Sequence, residues 1–290
     1  MPEDSSIEKN FVVPVDNPTG DTVFWQSLAC LLVMMLMASV EAAASKSGGP
    51  LVGTLVSFEP SNWKVLTTLA GVLVLVFLTL RSVRDTRLLD TVMSLATIFG
   101  LTFGVDALLG PTAGTIAFCL VVVVYYSDPW VVIYDLLLCL GLAGISSSVG
   151  PVFQPGALLL VLVLFAIYDV TAVHLSERSV LFGHRLPRRR AFFSFVLPFS
   201  WSGLRTGIGK VSGNVGGFGF RGIGDLLLPT MFVISVLWHH GLAAAGSVML
   251  GAVLFSVLSH MSFPRSLSSQ VLPPLALGSV IGYLTFFLVV

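Results

Sequence analysis

Charged side chains are the scarcest feature of this chain. Asp, Glu, Lys and Arg make up 10% of its 290 residues, whereas 55% are hydrophobic. A soluble domain carries about 25% charged residues, so a water-facing globule is excluded, in keeping with the mean hydropathy of +0.95. The 15 basic and 15 acidic residues cancel and form no basic arm, which argues against a nucleic-acid partner. Cysteine is scarce too. Cys30, Cys119 and Cys139 lie within apolar runs, without CxxC or Cys/His spacing. Neither zinc nor a disulfide framework fits that pattern, and the three read as small buried hydrophobes. The histidines, His174, His184, His239, His240 and His260, gather near the ends of apolar runs and never take HExxH spacing. No metal and no cofactor is expected. Residues 1–22 lack the n-region and cleavage site of a signal peptide and read as a polar tail.

What fills the rest of the chain is apolar sequence long enough to cross a bilayer many times. Breaks at polar, Gly or Pro residues suggest nine spans, at about 23–44, 63–80, 88–109, 112–127, 130–148, 156–174, 223–239, 241–259 and 272–290. The expected fold is therefore an all-α polytopic membrane protein, with residues 23–290 as one nine-helix domain. Basic residues orient it. With the N-terminus inside, only Lys46 and Lys64 of the 15 Lys and Arg fall in outer segments. That asymmetry places the N-terminus in the cytoplasm and the C-terminus outside. The connection 175–221 then lies on the cytoplasmic side. It carries the basic run Pro187–Arg190, an apolar stretch at 191–201 expected to lie in the interface, and the glycine-rich 212–222.

An ionisable side chain at membrane depth is costly and so marks a functional site by default. Asp106, Asp135, Asp169 and Asp225 fall within these spans. Asp169 lies five residues before His174, roughly 8 Å from the cytoplasmic end of span six. Asp225 lies four residues past Arg221, about 6 Å from the same face on span seven. Counting and charge bias alone thus set this pair level on antiparallel helices. The plain alternative is a buried polar pair that only fixes two helices together. Asp106, near the opposite face, reads as a snorkelling or capping acid. Asp135 lies near the cytoplasmic face and competes with the pair, but a carboxylate near a helix start is readily explained by neighbouring donors and the helix dipole.

Tyr168-Asp169 followed by Gly222-Ile223-Gly224-Asp225 resembles the YD and GxGD motifs of the presenilin and signal-peptide-peptidase proteases. At the start of the last span, Pro273-Pro274-Leu275-Ala276-Leu277 is similar to their PAL motif, with one Leu between the second proline and Ala276. The run GIGDLLLP, with Pro229 in place of an aromatic, is similar to archaeal presenilin homologues, and the N-terminus-inside orientation is that of presenilins. The resemblance implies a nine-helix presenilin-like fold with a small β element before helix seven, in a prokaryotic cell membrane. It implies an intramembrane aspartyl protease with Asp169 and Asp225 as the catalytic pair, transmembrane helices of other proteins as substrates and the lipid bilayer as its medium.

Chemistry agrees with that implication. Two carboxyls a few ångströms apart cannot both ionise cheaply and share a proton near neutrality. One would draw a proton from water while the other donates to the peptide carbonyl. Gly222 and Gly224 leave the approach to Asp225 free of side chains or, alternatively, serve close helix packing. Tyr168 would tune the site or cap a neighbouring helix. Gly217 to Arg221, including Phe218, forms a candidate edge strand for an unwound substrate, or else a flexible linker. Pro273 and Pro274, lacking N–H donors, would keep the backbone irregular beside the pair. Two other readings compete. A prepilin-peptidase-type GxGD protease would carry Lys soon after the motif, where Leu226, Leu227 and Leu228 stand here. A proton- or cation-coupled transporter or channel would line its path with the four acids.

Overall fold

The computed structural model describes residues 19–46, 86–175, 194–211, 217–262 and 272–289. Its long helices are α1 (Thr19–Lys46), α2 (Thr86–Leu109), α3 (Pro111–Tyr126), α4 (Val131–Val149), α5 (Pro155–Leu175), α6 (Ile223–His240), α7 (Leu242–Ser262) and α8 (Leu272–Val289). Each coincides with an expected span to within a few residues. The expected span at 63–80 lies outside the described residues, as do much of the tail and parts of the 175–221 connection. Four helical stretches, Asp21–Ser45, Val131–Val152, Ile223–His240 and Leu242–Ser262, are long and apolar enough to cross a membrane, and shorter apolar helices accompany them. The chain is a multi-pass membrane protein.

Glycine decides where the helices turn and where they touch. Gly110 (φ 89) and Gly241 (φ 88) take the left-handed backbone conformation between α2 and α3 and between α6 and α7, which costs glycine little. Pro111 then opens α3 at a position where its missing N–H has no helical partner to lose. Elsewhere small residues let backbones meet. A Cβ on Gly100 of α2 would collide with the Gly141 carbonyl of α4, and one on Gly144 with the Gly100 carbonyl. Gly251 and Gly278 repeat the arrangement between α7 and α8, and Gly282 sits against Ser247. The pairing of 247 with 282 and 251 with 278 makes α7 and α8 antiparallel. In lipid, where burial of apolar surface gives helices no preference for each other, such close approach is a main source of attraction.

The main core draws on α1, α4, α5, α6, α7 and α8, with Met34, Met35, Leu162, Phe232 and Ile234 all sealed inside. A smaller cluster of Ile98, Leu101 and Val121 joins α2 to α3. Two strands, β1 (Ser194–Pro198) and β2 (Phe218–Gly222), pair antiparallel, with Phe195 opposite Arg221 and Val196 opposite Phe220. Part of the apolar stretch at 191–201 is thus a strand. Phe195, Val196 and Leu197 are buried. The pairing with β2 satisfies backbone groups that a segment in the interface would leave to water.

The ribbon and the turn after it are fastened to the start of α4. Val196 N–H donates to Asp135 Oδ1 at 3.0 Å. Val131 N–H donates to the Thr206 carbonyl and Ile208 N–H to the Pro129 carbonyl, both at 2.9 Å. Gly209 N–H donates to Asp128 Oδ1 at 2.6 Å.

Candidate active site

Asp225 is the third residue of α6, behind Gly222 as N-cap in extended conformation (φ −60, ψ 138). A carboxylate in a first turn lies in the favourable field of the helix N-terminus. Its oxygens curl back towards Gly222, whose added Cβ would lie 3.5 Å from Oδ2. Pro229, four residues on and inside the helix, has no N–H to give the Asp225 carbonyl, so the helical ladder is interrupted at this residue.

Asp169 lies near the end of α5. The chain reverses between α5 and α6, because Phe153, just before α5, accepts a 2.6 Å hydrogen bond from Ser235 in the far half of α6. The end of α5 and the start of α6 therefore share one end of the bundle. There Asp169, Asp225 and the buried Arg221 of β2 lie within electrostatic reach of one another. Both aspartates are half-buried. Among the described residues, neither carboxylate has a side-chain hydrogen bond, which leaves their oxygens available to water and to a ligand.

The other residues singled out by sequence divide into two groups. Gly224 borders open space, with nothing within 4 Å of where its Cβ would be. Close helix packing, the alternative explanation for that glycine, has no neighbour there. Phe218 packs against the core from β2, and in a two-stranded sheet β2 is an edge strand. Tyr168 is 60% exposed, with its ring at the bundle surface; its carbonyl accepts from Thr171 Oγ1 at 2.9 Å. Leu275 and Ala276 are buried and Leu277 is exposed. Pro273 and Pro274 differ from expectation. They sit in the first turn of α8, which begins at Leu272. Helix is tolerated there because the first N–H groups have no partner within a helix. The α7–α8 pairing returns the start of α8 to the end of the bundle that holds Asp225, and α8 packs on α5.

Two buried acids have other partners. Asp135 anchors Val196, a donor far away in sequence that spacing along α4 could not reveal. Glu41 of α1 escaped the reading of the sequence altogether. It is 3% exposed, accepts from Ser147 Oγ at 3.0 Å and packs over Gly104. The only signal available was an acid in the last turns of an apolar run. Asp106 is half-buried on the α2–α3 hairpin, beside Gly114. Of the cysteines, Cys139 is buried but Cys119 is exposed on α3, against expectation. In a bilayer that face meets lipid, where a thiol is as acceptable as in a core. Among the described residues, no three His, Cys, Asp or Glu side chains form a metal-binding group.

Two solved structures share this architecture, both of a presenilin family intramembrane aspartate protease. The C222 crystal form is 20% identical over 92% of this chain and 99% of its own, with a TM-score of 0.59. The P2 form is 22% identical over 91% of this chain and 96% of its own, with a TM-score of 0.56. The fold is presenilin-like. No protein-family model and no curated protein matches the chain at the level of sequence. The presenilin-like fold thus joins helices that carry YD and GxGD at one end of the bundle, with the helix of the PAL-like segment packed beside them.

Proposed function

We propose that this chain is an intramembrane aspartyl endopeptidase that cuts peptide bonds within transmembrane helices, with Asp169 and Asp225 as its catalytic dyad. The observation that carries the reading is that Asp169, Asp225 and Arg221 lie within electrostatic reach of one another where α5 and α6 share an end, on a presenilin-like fold. With one proton between them the two carboxyls carry a single negative charge, which the Arg221 guanidinium balances. A neutral cluster is the form that a partly buried site favours. The ionised carboxyl takes a proton from a water as its oxygen attacks the scissile carbonyl. The protonated carboxyl donates to the carbonyl oxygen; the proton taken from water then passes to the amide nitrogen, and collapse of the tetrahedral intermediate breaks the C–N bond and releases the amine.

Hydrolysis within a helix requires the substrate to unwind, which frees N–H and C=O groups that lipid cannot satisfy. β2, ending at the residue before α6, offers an edge for those groups, with Phe218 beneath it and Gly224 leaving space beside the carboxylates. Pro273, Pro274, Leu275, Ala276 and Leu277 support the dyad from the start of α8, and Tyr168 and Gly222 from its immediate neighbours in sequence. The same reading takes residues 23–290 as one nine-span domain with the N-terminus and the 175–221 connection in the cytoplasm, in a prokaryotic cell membrane. Its partners are transmembrane-helix substrates and the bilayer.

The test is cleavage of single-span reporter proteins by the full chain in lipid vesicles, with Asp169→Ala, Asp225→Ala and Asp135→Ala alongside. Product from the wild type and Asp135→Ala, and from neither of the other two, is expected. Uncut reporter throughout, together with proton or cation flux in the same vesicles, would make the protein a transporter instead.

A further inference from the structure

Two of the three cysteines meet where α1 packs on α4. The two helices run parallel, since Cys30 lies beside Cys139 and, further along both, Glu41 lies beside Ser147. Cys139 Sγ donates to the Cys30 carbonyl at 3.8 Å, and the two thiols lie within hydrogen-bonding reach of each other. Both are free; Cys30 is partly exposed and Cys139 is buried. They line a cavity of about 530 Å³ between the first half of α1, the start of α4, β1 and the turn at Trp201–Arg205. The pair sits roughly 16 Å along α1 and roughly 12 Å along α4 from where each helix begins, at 1.5 Å per residue. Ala29, Val33, Val132 and Leu136 make the surrounding wall apolar. Such a wall excludes charged reagents and admits small uncharged ones. The third thiol, Cys119, is exposed on α3, away from this cavity.

A disulfide requires two cysteines on adjacent backbones with their sulfurs turned towards each other. Here the thiol of one already rests against the backbone of the other. We propose that Cys30 and Cys139 form a thiol-modification site, which a small uncharged disulfide oxidises to a bridge between α1 and α4. Cys30, the more accessible of the two, reacts first. Its sulfur attacks the reagent, the reagent's S–S bond breaks, and one thiol leaves with the Cys30 proton. The sulfur of Cys139 then attacks that of Cys30, the mixed disulfide breaks, and a second thiol leaves with the Cys139 proton. The cysteine pair loses two electrons, and the reagent gains them as it becomes two thiols. The bridge makes the contact between α1 and α4 covalent and reversible, on the helix whose Asp135 anchors β1. Cys119 can take only the first step, because its partner in a bridge is missing from that face.

The probe is dipyridyl disulfide, added to the full chain in phosphatidylcholine nanodiscs, with the products mapped by mass spectrometry without reduction. The expected product is a peptide pair joined through Cys30 and Cys139 within one chain, lighter by two hydrogens and free of pyridyl groups, while Cys119 keeps its pyridyl adduct. Dithiothreitol should restore all three thiols. Cys139→Ala should abolish the joined pair and leave a pyridyl adduct standing on Cys30. Cys119→Ala should leave the joined pair unchanged. Alanine is small and apolar, so both variants suit the positions they occupy. A pyridyl adduct that persists on Cys30 in the wild type overturns the proposal. So does an unreacted Cys30 beside a labelled Cys119, or a bridge to Cys119 formed as readily as the one to Cys139. The readout involves no proteolysis, so its outcome is independent of the assignment of Asp169 and Asp225.

Discussion

Asp225 and Asp135 look alike in sequence, each an aspartate near the start of an apolar helix. The fold gives them opposite surroundings. Asp135 is 7% exposed, and one of its oxygens is held by the backbone of β1. Asp225 is half-buried with no side-chain hydrogen bond among the described residues, and it shares its end of the bundle with a second carboxyl and a guanidinium. A carboxyl committed to a backbone donor holds structure together. One left with free oxygens, a like neighbour and a counter-charge is arranged to exchange protons.

The widest separation between the two regions should appear in catalysis. Asp169→Ala and Asp225→Ala should each lower reporter cleavage by about 10²–10⁴-fold, the usual range for a lost general acid or base. Asp135→Asn should stay within several-fold of wild type. A loss in Asp135→Asn as deep as in the pair would erase the distinction and move Asp135 into the chemistry. Next in size is Arg221. Arg221→Leu should reduce cleavage by about ten- to a hundredfold, because the site loses roughly 1–3 kcal/mol of charge-assisted interaction. The acid limb of its pH–activity profile should move to higher pH, since the charged form of the dyad loses its cation. Arg221→Lys should restore much of the rate and return the limb towards its original position. A pH profile that does not change in Arg221→Leu would make the arginine a packing residue.

Stability supplies the smaller contrasts. Gly278→Val at the α7–α8 contact should cost about 1–3 kcal/mol through overpacking. A lowered unfolding midpoint in detergent would show it, with the dyad's chemistry intact in the protein that remains folded. Asp135→Ala should cost a similar amount, about 1–3 kcal/mol, by leaving Val196 N–H buried and unpaired. Glu41→Gln should change the midpoint least, by about 1 kcal/mol or less, because the amide oxygen still accepts from Ser147. A large loss there would show that Glu41 needs its proton or its charge.

Much of this was legible from residues alone. Asp169 and Asp225 could be set at one depth by counting from Arg221 and His174, because a helix rises by a fixed amount per residue and a bilayer fixes where helices end. What escaped detection has one cause. The bond from Val196 to Asp135, the burial of Glu41 against Ser147 and Gly104, and the β1–β2 pairing all join parts of the chain far apart in sequence. No periodicity along one helix encodes them.

The sequence by itself determined the membrane class, the positions of the described long helices and the shared level of the two aspartates. These depend on local hydropathy and on a constant helical rise. Only the tertiary structure decided that Arg221 stands with Asp169 and Asp225 while Asp135 holds a strand. Which donors reach a carboxyl depends on how helices cross, and the crossings are set by contacts such as Gly100 on Gly141 and Gly251 on Gly278.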